Sequence, residues 1–267
     1  MLWNAKNGVV TLPDSDMEYI RFGTGKKILI MLPGLGDALR SVKGLSLPTA
    51  ALYRMYAGDY TVYMFSRKLL LSKGCTTRDM ARDLMQAMQI LNIPKADLLG
   101  VSMGGMIAQH FAADYPEMVN KLILVVTCPR SNPILVEAVE EWKACALADD
   151  HTALMDSNLR RIYSERYYRK NKWMVPITGR LTKPKSYDRF LIMADACLTH
   201  NAFDRLSDIT APTLVLGGEQ DHCLGGDASR ELAAHIPGAK LKLYPQWGHG
   251  LYEEAADFND TVLEFLK

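Results

Sequence analysis

The chain has 267 residues, with 31 Lys and Arg against 30 Asp and Glu, a formal net charge of +1. Its 48% hydrophobic and 23% charged content fits a folded globular protein and excludes a disordered one. Near-neutrality leaves no global field to collect nucleic acid or an anionic membrane, so a basic or acidic partner role has no support.

The opening reads as strands: Val9–Leu12, Met17–Phe22, then the apolar run Ile28–Leu32 ending at Pro33-Gly34. Gly23 and Gly25 lie between the second and third, in keeping with a hairpin turn. An alternation of helix and strand follows. A helix is expected over Pro48–Tyr56, then the strand Tyr60–Phe65. Thr77 is the candidate N-cap of a helix from Arg78 to Leu91, whose Met80, Ala81, Leu84, Met88 and Leu91 recur at helical spacing. A short buried strand, Asp97–Val101, precedes a helix from Met103 to Tyr115, and the strand Lys121–Val126 comes next.

Thr213–Gly217 and Lys240–Tyr244 read as two more strands, with a helix over Ala228–His235 between them and a last helix over Ala255–Leu266. Strands alternating with helices predict a mostly parallel sheet covered on both faces. The stretch from 129 to 206 breaks the alternation: it is helix-prone with no convincing strand. The expected organisation is therefore a core of 1–128 and 207–267, with 129–206 inserted as a helical cap.

Five scattered cysteines (Cys75, Cys128, Cys145, Cys197, Cys223) with no C-x-x-C pair do not read as a disulfide framework. No secretory signal pattern opens the chain. The longest apolar runs, Ile28–Leu32 and Leu122–Val126, fall far short of the roughly 20 residues needed to span a bilayer. A reduced, cytoplasmic protein is the expectation.

The sharpest chemical signal is Gly100-Val101-Ser102-Met103-Gly104, directly between a buried strand and a helix. A serine forced through so sharp a turn has strained backbone angles, and small residues two positions away on each side let the chain pass. The turn lifts the hydroxyl above the sheet, and the helix N-terminus supplies N–H donors for developing negative charge. Composition alone predicts about 0.06 such matches in a chain this long, so chance is a poor explanation.

A serine nucleophile needs a base, itself held by an acid. Of His110, His151, His200, His222, His235 and His249, only His249 sits in a turn between glycines, after a strand and before the last helix. For the acid, the strand ending at Gly217 runs into Gly218-Glu219-Gln220-Asp221, at the sheet end where ligand sites of open α/β sheets lie. Asp221 is the candidate, with Glu219 in reserve. Pro33-Gly34-Leu35-Gly36-Asp37 can aim a backbone N–H at a reacting oxygen, and Met103 N–H is the second donor. A phosphate loop is excluded there, because Leu39 stands where G-x-G-x-x-G needs a third glycine and no G-K-[ST] occurs.

From about Met17 to Leu266 the chain resembles the α/β-hydrolase superfamily, on its nucleophile elbow, the chain order Ser…Asp…His and the position of the insertion. The resemblance implies an eight-stranded sheet, with Ser102 as nucleophile, His249 as general base then acid, and Asp221 orienting it. Leu35 and Met103 would donate to the oxyanion. Small esterases, enol-lactonases, C–C bond hydrolases and proline iminopeptidases are the relatives suggested. Two departures stand out. Pro33-Gly34 replaces the frequent His-Gly, and the glycine-rich stretch after the next strand is here Ser66-Arg67-Lys68-Leu69-Leu70-Leu71-Ser72-Lys73-Gly74. Serine at position 102 disfavours the dehalogenases and epoxide hydrolases of this fold, most of which use Asp.

Between His151 and Phe190 lie ten basic residues: Arg160, Arg161, Arg166, Arg169, Lys170, Lys172, Arg180, Lys183, Lys185 and Arg189. They read as a solvated helical face, or else as one or two arginines turned into the site to favour an anionic substrate. Interleaved Tyr163, Tyr167, Tyr168, Trp173, Tyr187 and Phe190 line a pocket or pack the cap. No metal-ligand spacing and no nucleic-acid signature is present, and the chemistry calls for no cofactor. The expectation is a serine hydrolase acting on a small-molecule carboxylic ester or lactone. The same triad also serves C–C or amide cleavage and acyl transfer, and a slow ligand-binding homologue is the non-enzymatic rival.

Overall fold

The computed structural model describes residues 2–267. Its eight strands are β1 (Lys6–Thr11), β2 (Asp16–Phe22), β3 (Lys27–Leu32), β4 (Tyr60–Lys68), β5 (Ala96–Val101), β6 (Val119–Val125), β7 (Thr213–Gly218) and β8 (Lys240–Tyr244). They form one sheet in the order β1-β2-β4-β3-β5-β6-β7-β8. β1 pairs with β2, and β2 with β4, antiparallel; every pair from β4 to β8 is parallel.

The helices α1 (Ser46–Leu52), α2 (Thr77–Ile90), α3 (Met103–Asp114), α9 (Asp227–His235), α10 (Leu251–Glu254) and α11 (Phe258–Leu266) accompany the sheet. Five more lie between β6 and β7: α4 (Pro133–Leu147), α5 (His151–Ile162), α6 (Glu165–Asn171), α7 (Val175–Leu181) and α8 (Asp188–Leu198). The central strands are continuously apolar because both faces are covered. Ile30 and Leu32 join Leu84, Phe111 and Leu232 in one core, with α2, α3 and α9. Leu29 and Met31 join Ala50, Phe258 and Val262 in the other, with α1 and α11. Each fully buried aliphatic side chain there contributes about 1.5–3 kcal/mol against leaving it in water.

The strand expectations hold throughout, with one correction of pairing. β2 and β3 are not a hairpin; β4 lies between them. The glycines serve a close crossing instead of a turn. A Cβ on Gly23, which has φ +84°, would lie 2.2 Å from Tyr60 O, and one on Gly25 would meet the Asp59 backbone at 1.8 Å. Thr24 N–H donates to Ala57 O and Lys27 N–H to Asp59 O, so the segment is bound to the chain entering β4.

Helix ends also move. The cap of α2 is Thr76, not Thr77: Asp79 N–H donates to its hydroxyl while the Asp79 carboxylate accepts from Thr76 N–H, a reciprocal box. The expected helix 48–56 is α1 followed by a separate 3-10 turn at Arg54–Tyr56. The last helix starts at Phe258, after the four-residue α10.

No strand interrupts 129–206; only the isolated bridge Arg130–Asn201 closes its base. Its helices start where short polar side chains accept orphan N–H groups: Asn132 from Leu135, Asp150 from Ala153, Ser164 from Tyr167. Trp142 Nε1–H donates to Ser157 Oγ at 3.1 Å, joining α4 to α5. No helix among the described residues is long and apolar enough to cross a membrane.

Candidate active site

Ser102 leaves β5 and enters α3 with φ 54° and ψ −121°, a conformation that costs a non-glycine residue. Its N–H donates to Val125 O at 2.9 Å, fastening the turn to β6. The flanking glycines are required by packing. A Cβ on Gly104 would lie 2.0 Å from Leu32 O, and one on Gly100 would meet Gly104 O at 2.5 Å.

Asp221 stands in the loop beyond β7 and His249 in the loop beyond β8, both buried. The hydroxyl of Ser102 donates to His249 Nε2 at 2.9 Å. His249 Nδ1–H donates to Asp221 Oδ2 at 2.8 Å. The other Asp221 oxygen accepts from the N–H groups of Cys223 and Leu224, at 2.7 and 2.9 Å, so this carboxylate is clamped in one orientation. Glu219 is turned to the surface, where Arg230 holds it at 2.5 Å. Ser102 and two candidates more than a hundred residues beyond it thus form one hydrogen-bonded chain.

Leu35 opens a 3-10 turn, Leu35–Ala38, after β3, and Met103 opens α3. First positions of helices have no intrahelical acceptor for their N–H. Both groups therefore remain free to donate. The Pro33-Gly34 loop passes directly over Ser102: a Cβ on Gly34 would lie 3.3 Å from the serine Cβ.

What holds that loop is an ionic network the sequence reading did not single out. The buried Asp37 accepts from Ser66 Oγ at 2.5 Å, from Arg67 N–H at 3.0 Å and from Arg189 Nη2 at 2.8 Å. Arg67 Nη2 donates to Pro33 O. Arg189, from α8, also donates to the carbonyls of Asp37, Arg67 and Lys68. Burial pulls the Arg67 guanidinium down to about 10, and its Nε and Nη1 have no hydrogen-bond partner. The departure at Ser66-Arg67 was the available signal: bulky, charged residues where glycines are frequent must be matched by a buried acid.

Four of the remaining histidines are engaged elsewhere, and His222 is exposed. His151 bridges Thr182 and Tyr187 within the inserted helices, and His200 bridges Thr77 and Cys128 O. His110 packs edge-on against His200, and His235 packs on Phe203. Ligand atoms of Asp221, Cys223 and His249 lie within 4.8 Å of one another, the arrangement that suits a metal ion best here. Burial pushes the Cys223 thiol well up, and His249 Nδ1 already faces Asp221, so this set offers no ready thiolate or free imidazole nitrogen to a metal.

A cavity of about 370 Å³ opens at Ser102 and His249. Met31, Met64, Leu99, Val101 and Trp142 make its walls largely apolar, with Tyr53, Asn158, Tyr252 and Glu253 as polar points. None of the ten basic residues of 160–189 lines it. Arg160, Arg161, Arg169, Lys183 and Arg189 are instead paired with acids. The six aromatics of that stretch do not line it either. Tyr187 and Phe190 belong to the core, Trp173 is exposed, and Tyr163 and Tyr167 stack on each other along an adjoining groove.

A family model described as the alpha/beta hydrolase fold matches residues 27–256. The chain belongs to the α/β-hydrolase family. This α/β hydrolase is 31% identical over 269 residues to a 2-hydroxy-6-oxononadienedioate/2-hydroxy-6-oxononatrienedioate hydrolase of Comamonas testosteroni, covering 91% of this chain and 88% of that protein. Among solved structures it superposes with a TM-score of 0.87 on MGS-M2, an alpha/beta hydrolase from a deep-sea metagenome library. That pair is 23% identical and 97% of each chain is covered. It also superposes on the enol-lactonase from Burkholderia xenovorans LB400, with a TM-score of 0.80, 22% identity and coverage of 97% and 99%. These two structures share its fold. The α/β hydrolase is accordingly an enzyme, and its Comamonas testosteroni relative is named for the hydrolysis of a small molecule.

Proposed function

We infer that this α/β hydrolase is a serine hydrolase that cleaves a carboxylic ester or lactone through an acyl-enzyme on Ser102. The observation that carries the reading is the unbroken hydrogen-bond chain from Ser102 Oγ through His249 to Asp221. Such a chain activates a hydroxyl that is otherwise a poor nucleophile.

Ser102 Oγ attacks the carbonyl carbon as His249 Nε2 takes its proton. The clamped Asp221 carboxylate holds His249 in the tautomer with Nδ1–H and stabilises the imidazolium that forms. The carbonyl oxygen, now negative, lies between the N–H groups of Leu35 and Met103. Collapse expels the alcohol, which takes the proton back from Nε2. Water then repeats the sequence, with His249 as base, and releases the acid. The helices of 129–206 act as a cap: Trp142, Asn158 and Ile162 wall the cavity from that side and limit access of bulk water.

The substrate is a small molecule, and the absence of any lysine or arginine from the cavity wall favours a neutral acyl group over an anionic one. Cleavage of a carbon–carbon bond by the same residues is the second reading, favoured by the name of the Comamonas testosteroni relative.

Labelling with a fluorophosphonate probe, beside Ser102→Ala, tests the nucleophile; a 4-nitrophenyl ester chain-length series then sizes the acyl pocket. Labelling confined to the protein with Ser102 is expected. A folded protein that neither labels nor hydrolyses any ester would sink the reading, and turnover of a 2-hydroxy-6-oxo-dienoate without ester turnover would favour the second.

A further inference from the structure

Two carboxylates face the cavity at Ser102, and they differ in their surroundings. Asp37 is fully engaged by Ser66, Arg67 and Arg189. Glu253, carried on α10 four residues after His249, is not: no lysine or arginine among the described residues pairs with it. Its Oε2 accepts from Tyr163 OH at 2.8 Å, and its Oε1 has no partner. The neighbouring Glu254 is committed elsewhere, accepting from the N–H and hydroxyl of Ser164 at 2.9 and 2.6 Å.

Beside Glu253 the same cavity is walled by Tyr53 and Tyr252, whose hydroxyls have no hydrogen-bond partner among the described residues. Burial drives the Tyr53 hydroxyl up to about 12 and that of Tyr252 higher still, so both stay neutral and offer acceptor lone pairs. Partial desolvation at the cavity rim also raises Glu253, with Tyr163 opposing and Glu254 reinforcing the shift. Glu253 is exposed at the rim of this cavity, and no lysine or arginine of the cavity wall answers its charge.

We propose that Glu253, Tyr53 and Tyr252 form a subsite for a protonated amine carried by the substrate. The proposal rests on the hydrolase reading, because it makes the ammonium group part of the molecule cleaved at Ser102. An ammonium supplies the missing positive charge to Glu253. Its N–H groups reach the unpartnered Glu253 Oε1 and the two tyrosine oxygens, and the ring faces favour a cation. An anionic group at this place meets Glu253 with no compensating cation.

The test compares hexylammonium with 1-hexanol by titration calorimetry near neutral pH. The two share an alkyl chain for the apolar wall and differ in the charged end. Hexylammonium is expected to bind roughly tenfold more tightly. Glu253→Gln should bring that ratio to about 1, and Glu253→Lys should reverse it, each with a retained thermal transition. Equal binding of the two molecules to the unmodified protein overturns the subsite, as does a preference that survives both substitutions. Fluorophosphonate labelling of the same samples separates the two readings. Labelling with no amine preference keeps the hydrolase and removes the subsite, whereas amine preference without labelling does the reverse.

Discussion

Arg189 and Asp37, 152 residues apart in the chain, meet at 2.8 Å and join α8 of the insertion to the loop that carries the Leu35 N–H. Asp37 lies two residues beyond Leu35, so its orientation sets the pitch of the 3-10 turn that aims that N–H. The guanidinium serves four acceptors in this position: the Asp37 carboxylate and the carbonyls of Asp37, Arg67 and Lys68. A lysine has one nitrogen and cannot reach them together.

Arg189→Ala is therefore expected to lower the unfolding free energy by about 3 kcal/mol, the cost of breaking a buried ion pair. It should also lower kcat on the order of 10–100-fold through a displaced loop. Arg189→Lys should recover little of either. Urea unfolding and steady-state kinetics on a 4-nitrophenyl ester read both effects, and an unchanged kcat would remove Arg189 from the positioning of the loop.

Asp221→Asn keeps the shape of the side chain but removes the charge that fixes His249. A fall in kcat on the order of 10³–10⁴ is expected. Glu219→Gln, at a surface ion pair with Arg230, should leave kcat close to the parent value. Matched kinetics on the two variants decide between the acids, and the opposite ranking would transfer the role to Glu219.

Replacement of Ser102 separates chemistry from folding. Ser102→Ala should abolish turnover with the thermal transition retained, since one hydroxyl is lost and the backbone stays at φ 54°. Ser102→Gly relieves that backbone strain and should be about 1 kcal/mol more stable than the alanine variant. Elsewhere glycine is the less stable of the two. Equal or lower stability of the glycine variant in denaturant unfolding would show that the turn is unstrained.

Acid sensitivity is expected from the paired histidines, His110 on α3 and His200 packed against it. His200 Nε2–H donates to Cys128 O at 3.2 Å, and its Nδ1 accepts from the Thr77 hydroxyl at 2.9 Å, so the ring is held neutral. Burial lowers His200 to about 3 and His110 to about 4. Both are protonated more readily in the unfolded chain, near 6.5. Their contribution is thus complete above pH 6.5 and is lost as pH falls toward 4, on the order of 3 kcal/mol for His110. Urea midpoints across that window measure it. His200→Phe should flatten the slope, and a slope unchanged by the substitution would assign it to other groups.

Much of this protein is written locally. The central strands are apolar runs bounded by polar or turn residues, β2 and β8 alternate polar with apolar residues, and G-x-S-x-G carries its own steric explanation, so these features needed no tertiary information. Ser102, Asp221 and His249 could be picked as candidates for the same reason: each lies at the C-terminal end of a strand or just beyond it, where a parallel sheet exposes its loops. Pairing was not legible. The glycines between β2 and β3 suit a hairpin and a close crossing equally well, and only the long-range insertion of β4 distinguishes the two.

The charged residues of 160–189 were the least legible. A lysine or arginine on a helix has the same local pattern whether it faces water, an acid or a substrate. Which of these it meets depends on what the fold brings opposite. For Arg189 that is Asp37, and for the cavity itself the unpaired charge comes instead from Glu253, in a four-residue helix that local periodicity is too short to reveal. Strand, turn and candidate nucleophile follow from neighbours in sequence because sterics and burial act over a few residues. Counter-charges and pocket walls follow only from the tertiary structure, because electrostatic partners are chosen by proximity in space.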